Sequence, residues 1–231
     1  MDCYCITGLG ADHRLFSRLN LPGVILHELP WLLPEGDEPI EQYAGRMKAT
    51  IVHDNPILLG VSFGGMMAIE IAKLYPSATV ILISSIRNRR QRPGWMTFCG
   101  RLRLEFLLSR RNKPGHASPS SPFRNWISPL ENYFQGLESV EDFMLYRDFR
   151  NHIDRCFIRW AVGAILHWKN DWTPASIYQL HGGRDRIFPL PPKDVTQTLA
   201  EGGHFMVYNH AKWVSSQLAA ILQGHQDPDR A

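Results

Sequence analysis

Ile57-Leu58-Leu59-Gly60-Val61-Ser62-Phe63-Gly64-Gly65-Met66-Met67-Ala68-Ile69-Glu70-Ile71-Ala72 carries three patterns in succession. An apolar run of strand length comes first. A glycine–x–serine–x–glycine turn follows, and a helical pattern completes the stretch. This strand–turn–helix context is the one in which a serine is held at the tip of a tight bend. Gly60 and Gly64 stand where a Cβ would crowd so sharp a turn. The bend lifts the Ser62 hydroxyl clear of a sheet. It also aims the unpaired N–H groups of the next helix at the same spot. The alternative is a glycine-rich connector with an idle serine, and the flanking strand and helix argue against it.

Upstream, residues 2–6 read as a strand, and Thr7-Gly8-Leu9-Gly10-Ala11-Asp12 as a glycine-punctuated loop. A second strand is predicted over 24–29. Ile40, Tyr43, Ala44, Met47 and Ile51 recur at three- and four-residue spacing and predict a helix over 38–52. A third strand over 56–61 leads through Ser62 into a helix over 63–75, which Pro76 stops. Residues 78–84 form a near-continuous apolar run, as in a parallel sheet covered on both faces. Strands alternating with helices predict an α/β fold.

The alternation breaks near residue 86. Arg87, Arg89, Arg90 and Arg92 crowd together, and aromatic-rich helical segments follow over 95–108, 138–151 and 153–168. Between them, residues 114–122 are rich in proline and serine and read as a loop. The segment 87–172 is therefore predicted to be a helical lobe on the sheet, with 1–86 and 173–231 forming the core. The arginines read as a solvated surface of that lobe. Strand character resumes over 176–181, then again over 194–199. The short link between these strands predicts an extended or one-turn crossover. A final helix is predicted over 207–222.

Composition narrows the function classes. The chain has 231 residues, is 44% hydrophobic and carries a formal net charge of +3. That length suits one domain with an insert, and the small charge does not point to nucleic acid. The four cysteines, Cys3, Cys5, Cys99 and Cys156, show no zinc-site spacing and do not demand a disulfide framework. They read as reduced core or lobe residues, and no metal is expected. No basic, apolar N-terminal leader and no run of membrane-span length is present, so a cytoplasmic location without a membrane span is expected.

Serine is a weak nucleophile at neutral pH and needs a base, itself oriented by a third group. On strand–helix elbow folds the order along the chain is serine, acid, histidine. Ser62, Asp185 and His204 occur in that order. Asp185 follows a predicted strand and Gly182-Gly183. His204 follows the next predicted strand and Gly202-Gly203. Strand C-terminal ends of an open parallel sheet share one edge, so the three converge there. Asp171 is the rival acid, and His181 and His210 are the rival bases. His181 lies on a strand and His210 inside the predicted final helix, which favours His204. An oxyanion hole is expected from the backbone N–H groups of Phe63 and Leu9.

Gly60-Val61-Ser62-Phe63-Gly64, Gly8-Leu9-Gly10, Gly183-Arg184-Asp185 and Gly203-His204 together resemble the α/β-hydrolase superfamily. The resemblance covers about 1–86 and 173–231. It implies a mostly parallel sheet flanked by helices, lacking the family's leading antiparallel strands, with a helical cap inserted after the strand that ends near Ser84. It also implies a serine hydrolase without cofactor, acting on a small-molecule ester and water. A histidine is common in the family before the first loop glycine, where this chain has Thr7. Thioesterase, amidase or acyltransferase activity on the same residues is the near alternative. A ligand receptor with little turnover is the more distant one. Of the insert's aromatics, Trp95, Phe98, Phe106, Phe143, Tyr146 and Trp160 are candidate pocket residues, most of them expected to form the lobe's own core.

Overall fold

The computed structural model describes residues 1–103, 105, 131–191 and 193–225. Six strands form one parallel sheet: β1 (Asp2–Ile6), β2 (Ile25–Glu28), β3 (Ile57–Val61), β4 (Thr79–Ile83), β5 (Ser176–Gly182) and β6 (Gln197–Leu199), in the spatial order β2-β1-β3-β4-β5-β6. β3 and β4 are buried at every position, which is why they read as continuous apolar runs rather than alternating ones. Helices α1 (Ile40–Met47) and α2 (Phe63–Ala72) follow β2 and β3. Every residue of α2 is buried, so it is apolar all round instead of amphipathic.

Between β4 and β5 lie α3 (Gly94–Arg101), α4 (Val140–His152) and α5 (Arg155–His167). Ser139 and Asp142 form a reciprocal capping box at the start of α4, and Asp154 caps α5. The proline- and serine-rich stretch 114–122, the end of the predicted 95–108 helix and Phe106 lie outside the described residues. After β6 come α6 (Met206–Asn209) and α7 (Ala211–His225). None of the described helices is long and apolar enough to cross a membrane.

Four expectations need correction. The predicted 38–52 helix stops at Met47 and tightens into a 3₁₀ turn over Lys48–Thr50. β6 starts only at Gln197: Asp194 takes a left-handed backbone with φ 69°, and the Gln179 amide of β5 donates to Thr196 Oγ1 instead of a backbone carbonyl. The final helix is two helices, and His210 is the joint between them, at φ −113° and ψ 34° with its ring on Glu138. The arginines near residue 90 are not simply solvated. Arg87 Nε donates to Gln179 Oε1 on β5 at 2.8 Å, and Arg92 Nη1 donates to the Leu166 carbonyl at 2.7 Å.

The insert's aromatics also divide differently. Trp160 on α5 is in the main core, stacked on Tyr43 of α1 at 4.1 Å, with its Nε1 donating to the Glu38 carbonyl. α5 thus shares its core with the sheet layers. Phe98 is largely exposed, and Arg147 lies over the ring of Phe143. All four cysteines are unpaired, with Cys3 and Cys5 buried side by side on one face of β1.

Candidate active site

The turn after β3 is made by backbone packing. A Cβ on Gly64 would collide with the carbonyl oxygens of Ile6 and Thr7, and one on Gly60 with the backbone of Gly64 and Gly65. With no side chain in the way, α2 begins directly against the end of β1. Ser62 is left at φ 56° and ψ −121°, a conformation a non-glycine residue holds only when its surroundings dictate it. The Ser62 amide donates to the Ile83 carbonyl at 3.0 Å, and Ser85 Oγ donates to the Ser62 carbonyl at 2.6 Å. The strained residue is therefore tied on both sides.

The turns after β5 and β6 lean on each other in the same way. A Cβ on Gly183 would lie 2.6 Å from the Ala200 carbonyl oxygen, and one on Gly182 would strike that of Gly202. The Gly183 amide donates to the Leu199 carbonyl at 2.8 Å and the Arg184 amide to that of Gly202 at 2.9 Å. The two glycine pairs thus let the loop bearing Asp185 meet the loop bearing His204.

The result is a continuous line of side chains. Ser62 Oγ stands 2.8 Å from His204 Nε2, and His204 Nδ1 stands 2.8 Å from Asp185 Oδ2. A carboxylate only accepts, so Nδ1 carries a proton and Nε2 is free to accept from the hydroxyl. Asp185 is fully enclosed, and its other oxygen accepts the amides of Ile187 and Phe188, each at 2.9 Å. The rivals are elsewhere. Asp171 pairs with Arg89, His210 with Glu138, and His181 donates behind the acid to the Phe188 carbonyl.

Phe63 follows Ser62 in the chain, and Leu9 lines the same cavity as Ser62. Phe63 is the first residue of α2, so its amide has no intrahelical acceptor. A Cβ on Gly8 would sit 3.5 Å from Ser62 Cβ, so the loop bearing Leu9 passes beside Ser62. Trp31 fixes that loop, a role its sequence context did not signal. Its Nε1 donates to Thr7 Oγ1 at 3.0 Å, and its ring stacks on Phe63 at 5.1 Å. Thr7 Oγ1 in turn donates to the Ala11 carbonyl at 2.8 Å.

A cavity of about 530 Å³ opens over Ser62 and His204. One wall is mostly apolar: Met96 and Cys99 from α3, Val162 and Ile165 from α5. Glu131, Gln135, Tyr146 and Arg150 line the cavity too, with Arg150 paired to Glu131. Of the five described aromatics among those singled out in the sequence, Trp95 and Tyr146 line this cavity.

The family model described as "Alpha/beta hydrolase family" matches residues 4–217. No curated protein sequence matches the chain. Among solved structures, an esterase from Thermogutta terrifontis aligns over 97% of this chain and 90% of its own, at 16% identity and a TM-score of 0.68. A Bacillus megaterium epoxide hydrolase aligns over 96% and 93%, at 12% identity and a TM-score of 0.69. An extracellular α/β-hydrolase from a Paenibacillus species aligns over 96% and 98%, at 13% identity and a TM-score of 0.62. At such identities these neighbours speak for the fold alone. The match along nearly the whole sequence, on a parallel sheet with this turn after β3, places the chain in the α/β-hydrolase family.

Proposed function

We propose that the protein is a serine hydrolase that cleaves carboxylic esters of small or medium size through an acyl-enzyme on Ser62. The observation that carries this reading is the line Ser62–His204–Asp185, with both spacings at 2.8 Å, mounted on a serine held at φ 56°. His204 Nε2 takes the hydroxyl proton as Oγ adds to the ester carbonyl. Asp185 keeps Nδ1 protonated and offsets the imidazolium charge. The Leu9 and Phe63 amides hold the oxyanion. His204 then protonates the departing alcohol. Water, deprotonated by the same ring, releases the acid and restores Ser62. No cofactor enters the cycle.

The segment 87–172 serves as the cap. A cavity of about 530 Å³, walled largely by apolar side chains, suits an acyl or alcohol group of modest size. The Bacillus megaterium neighbour is an epoxide hydrolase, and that chemistry is expected of a carboxylate at the turn. A serine at position 62 favours acyl transfer instead.

A panel of p-nitrophenyl esters tests the reading. Ser62→Ala is expected to lower kcat by at least about 10³-fold while the protein stays folded. A fluorophosphonate probe is expected to label the native protein at Ser62 and not the variant. Turnover that survives Ser62→Ala would remove the nucleophile. Failure to label, with ligand binding retained, would make the protein a receptor on a hydrolase scaffold.

A further inference from the structure

His181 lies on β5, fully enclosed, and takes no part in the proton transfers described above. Its Nε2 is 2.7 Å from the Phe188 carbonyl oxygen and 3.8 Å from Asp185 Oδ2. A carbonyl only accepts, so Nε2 carries the ring proton. Nδ1 is buried and has no hydrogen-bond partner among the described residues. A second proton there would be an enclosed donor with nothing to receive it, which is costly. In accord with this, burial holds the His181 pKa below the ordinary histidine value. The ring is a neutral single donor with a fixed tautomer.

Phe188 is tied from two directions. Its amide donates to Asp185 Oδ1 at 2.9 Å, and its carbonyl accepts from His181. The Ile187 amide reaches the same carboxylate oxygen at 2.9 Å. The short loop after Asp185 is therefore clamped between the carboxylate and the ring of His181. With Oδ1 held by two amides, Oδ2 is turned to His204. Neutrality matters as much as position. An imidazolium 3.8 Å from Oδ2 would compete with His204 for the same negative charge.

We propose that His181 is a positioning residue for the acid of the triad: by holding the Phe188 carbonyl it sets the two amides on Asp185 Oδ1 and leaves Oδ2 to orient His204. The inference rests on the triad reading above. It assigns a task to a histidine that neither touches substrate nor exchanges the catalytic proton.

Three substitutions test it. His181→Leu keeps the bulk and removes the donor. His181→Asn keeps polarity, but its amide is too short to reach the Phe188 carbonyl. His181→Gln carries an amide nitrogen about where the ring Nε2 lies. His181→Leu and His181→Asn are expected to lower kcat by about 10- to 100-fold with KM little changed, the size of effect seen when a catalytic group is slightly misplaced. His181→Gln is expected to stay within about fivefold of wild type, since it restores the donor. Turnover is normalised to sites titrated with the fluorophosphonate, so that loss of folded protein does not count as slow chemistry. Wild-type kcat in His181→Asn or His181→Leu overturns the inference, and so does a His181→Gln variant as slow as His181→Asn. If His181→Leu does not fold, the Asn and Gln pair decides alone. Activity persisting in Ser62→Ala would remove the triad, and this inference with it. Ser62-dependent activity that ignores residue 181 removes the inference alone.

Discussion

On the sheet side of the cavity, backbone meets backbone. Gly64 lies against the carbonyls of Ile6 and Thr7, and Gly182 and Gly183 against those of Gly202 and Ala200. On the far side, the insert is fastened mostly by side chains, the exception being Gly136, whose backbone lies against Gly203 while the Phe205 amide donates to the Gln135 carbonyl. Arg92 reaches the carbonyls at the end of α5, Arg14 bridges Asp12 to Asp148 on α4, and Arg18 pairs with Glu141. The two constructions respond differently to change. A backbone approach has no slack, because neither partner can rotate away. Half-exposed ion pairs are each worth little and can be exchanged for others. The proposed nucleophile, base and acid all stand on the rigid side. The residues that shape the remainder of the cavity mostly stand on the exchangeable side.

The largest effect should come from adding one carbon to the rigid side. Gly64→Ala puts a methyl group into the Ile6 and Thr7 carbonyls, so α2 or β1 must move. A cost of about 3 kcal/mol or more is expected in urea unfolding, above the usual range for overpacking. The fluorophosphonate-reactive fraction should fall with it, since the turn at Ser62 depends on that approach. Gly45→Ala is the control. Gly45 lies inside α1, on its exposed side, with nothing within 4 Å of the added carbon. There alanine should stabilise by about 0.5–1 kcal/mol through helix propensity and a less flexible unfolded chain. Equal responses at the two positions would break the contrast.

The same contrast explains what could be read from the sequence. The sheet side was legible because its rules are local: continuous apolar runs for β3 and β4, glycines where backbones touch, and catalytic residue types just past strand ends. Asp185 and His204 stand out by position, each behind a glycine pair at which the two turns approach each other. The roles of Trp31 and His181 were not legible. Each depends on a partner brought near only by folding, the Thr7 hydroxyl in one case and the Phe188 carbonyl in the other. The insert was read only coarsely for a related reason. Its helix boundaries follow from caps and spacing, but Trp160 joins the main core by meeting Tyr43, more than a hundred residues upstream. Arg92 reads as surface charge because a sequence does not show that the end of a helix lies beside it.

Arg92 is accordingly the place to probe the exchangeable side. Its Nη1 donates to the carbonyls of Leu166 and Trp168, at 2.7 and 3.1 Å. These lie at the C-terminal end of α5, where carbonyls lack intrahelical partners. Arg92→Met keeps much of the aliphatic stem and removes the donors. A loss of about 1–3 kcal/mol is expected by urea unfolding, smaller than at Gly64. Turnover per titrated site should change less than twofold if the triad is independent of the insert's fastening. Relative rates on short and long p-nitrophenyl esters should shift, since α5 lines the cavity. A drop in kcat matching that of the His181 variants would mean that the insert also sets the catalytic geometry.

The mildest way to sharpen the contrast is pH, and it returns to the rigid side. Burial holds the His181 pKa below the ordinary histidine value of 6.5, with Asp185 opposing and His204 adding to the shift. Below pH 6.5 the unfolded chain therefore takes up a proton at residue 181 that the folded chain refuses. Stability is lost as pH falls through that value, with a slope of at most about 1.4 kcal/mol per pH unit for one proton. His181→Gln has no such proton to take up. The stability of wild type relative to His181→Gln should then fall by up to about 1 kcal/mol between roughly pH 7 and pH 5.5, read from urea unfolding at each pH. A difference that does not vary with pH would mean that the folded protein protonates His181 as readily as the unfolded chain. In that case a charged ring would stand beside Asp185, and the account of a neutral donor leaving the carboxylate to His204 would fail.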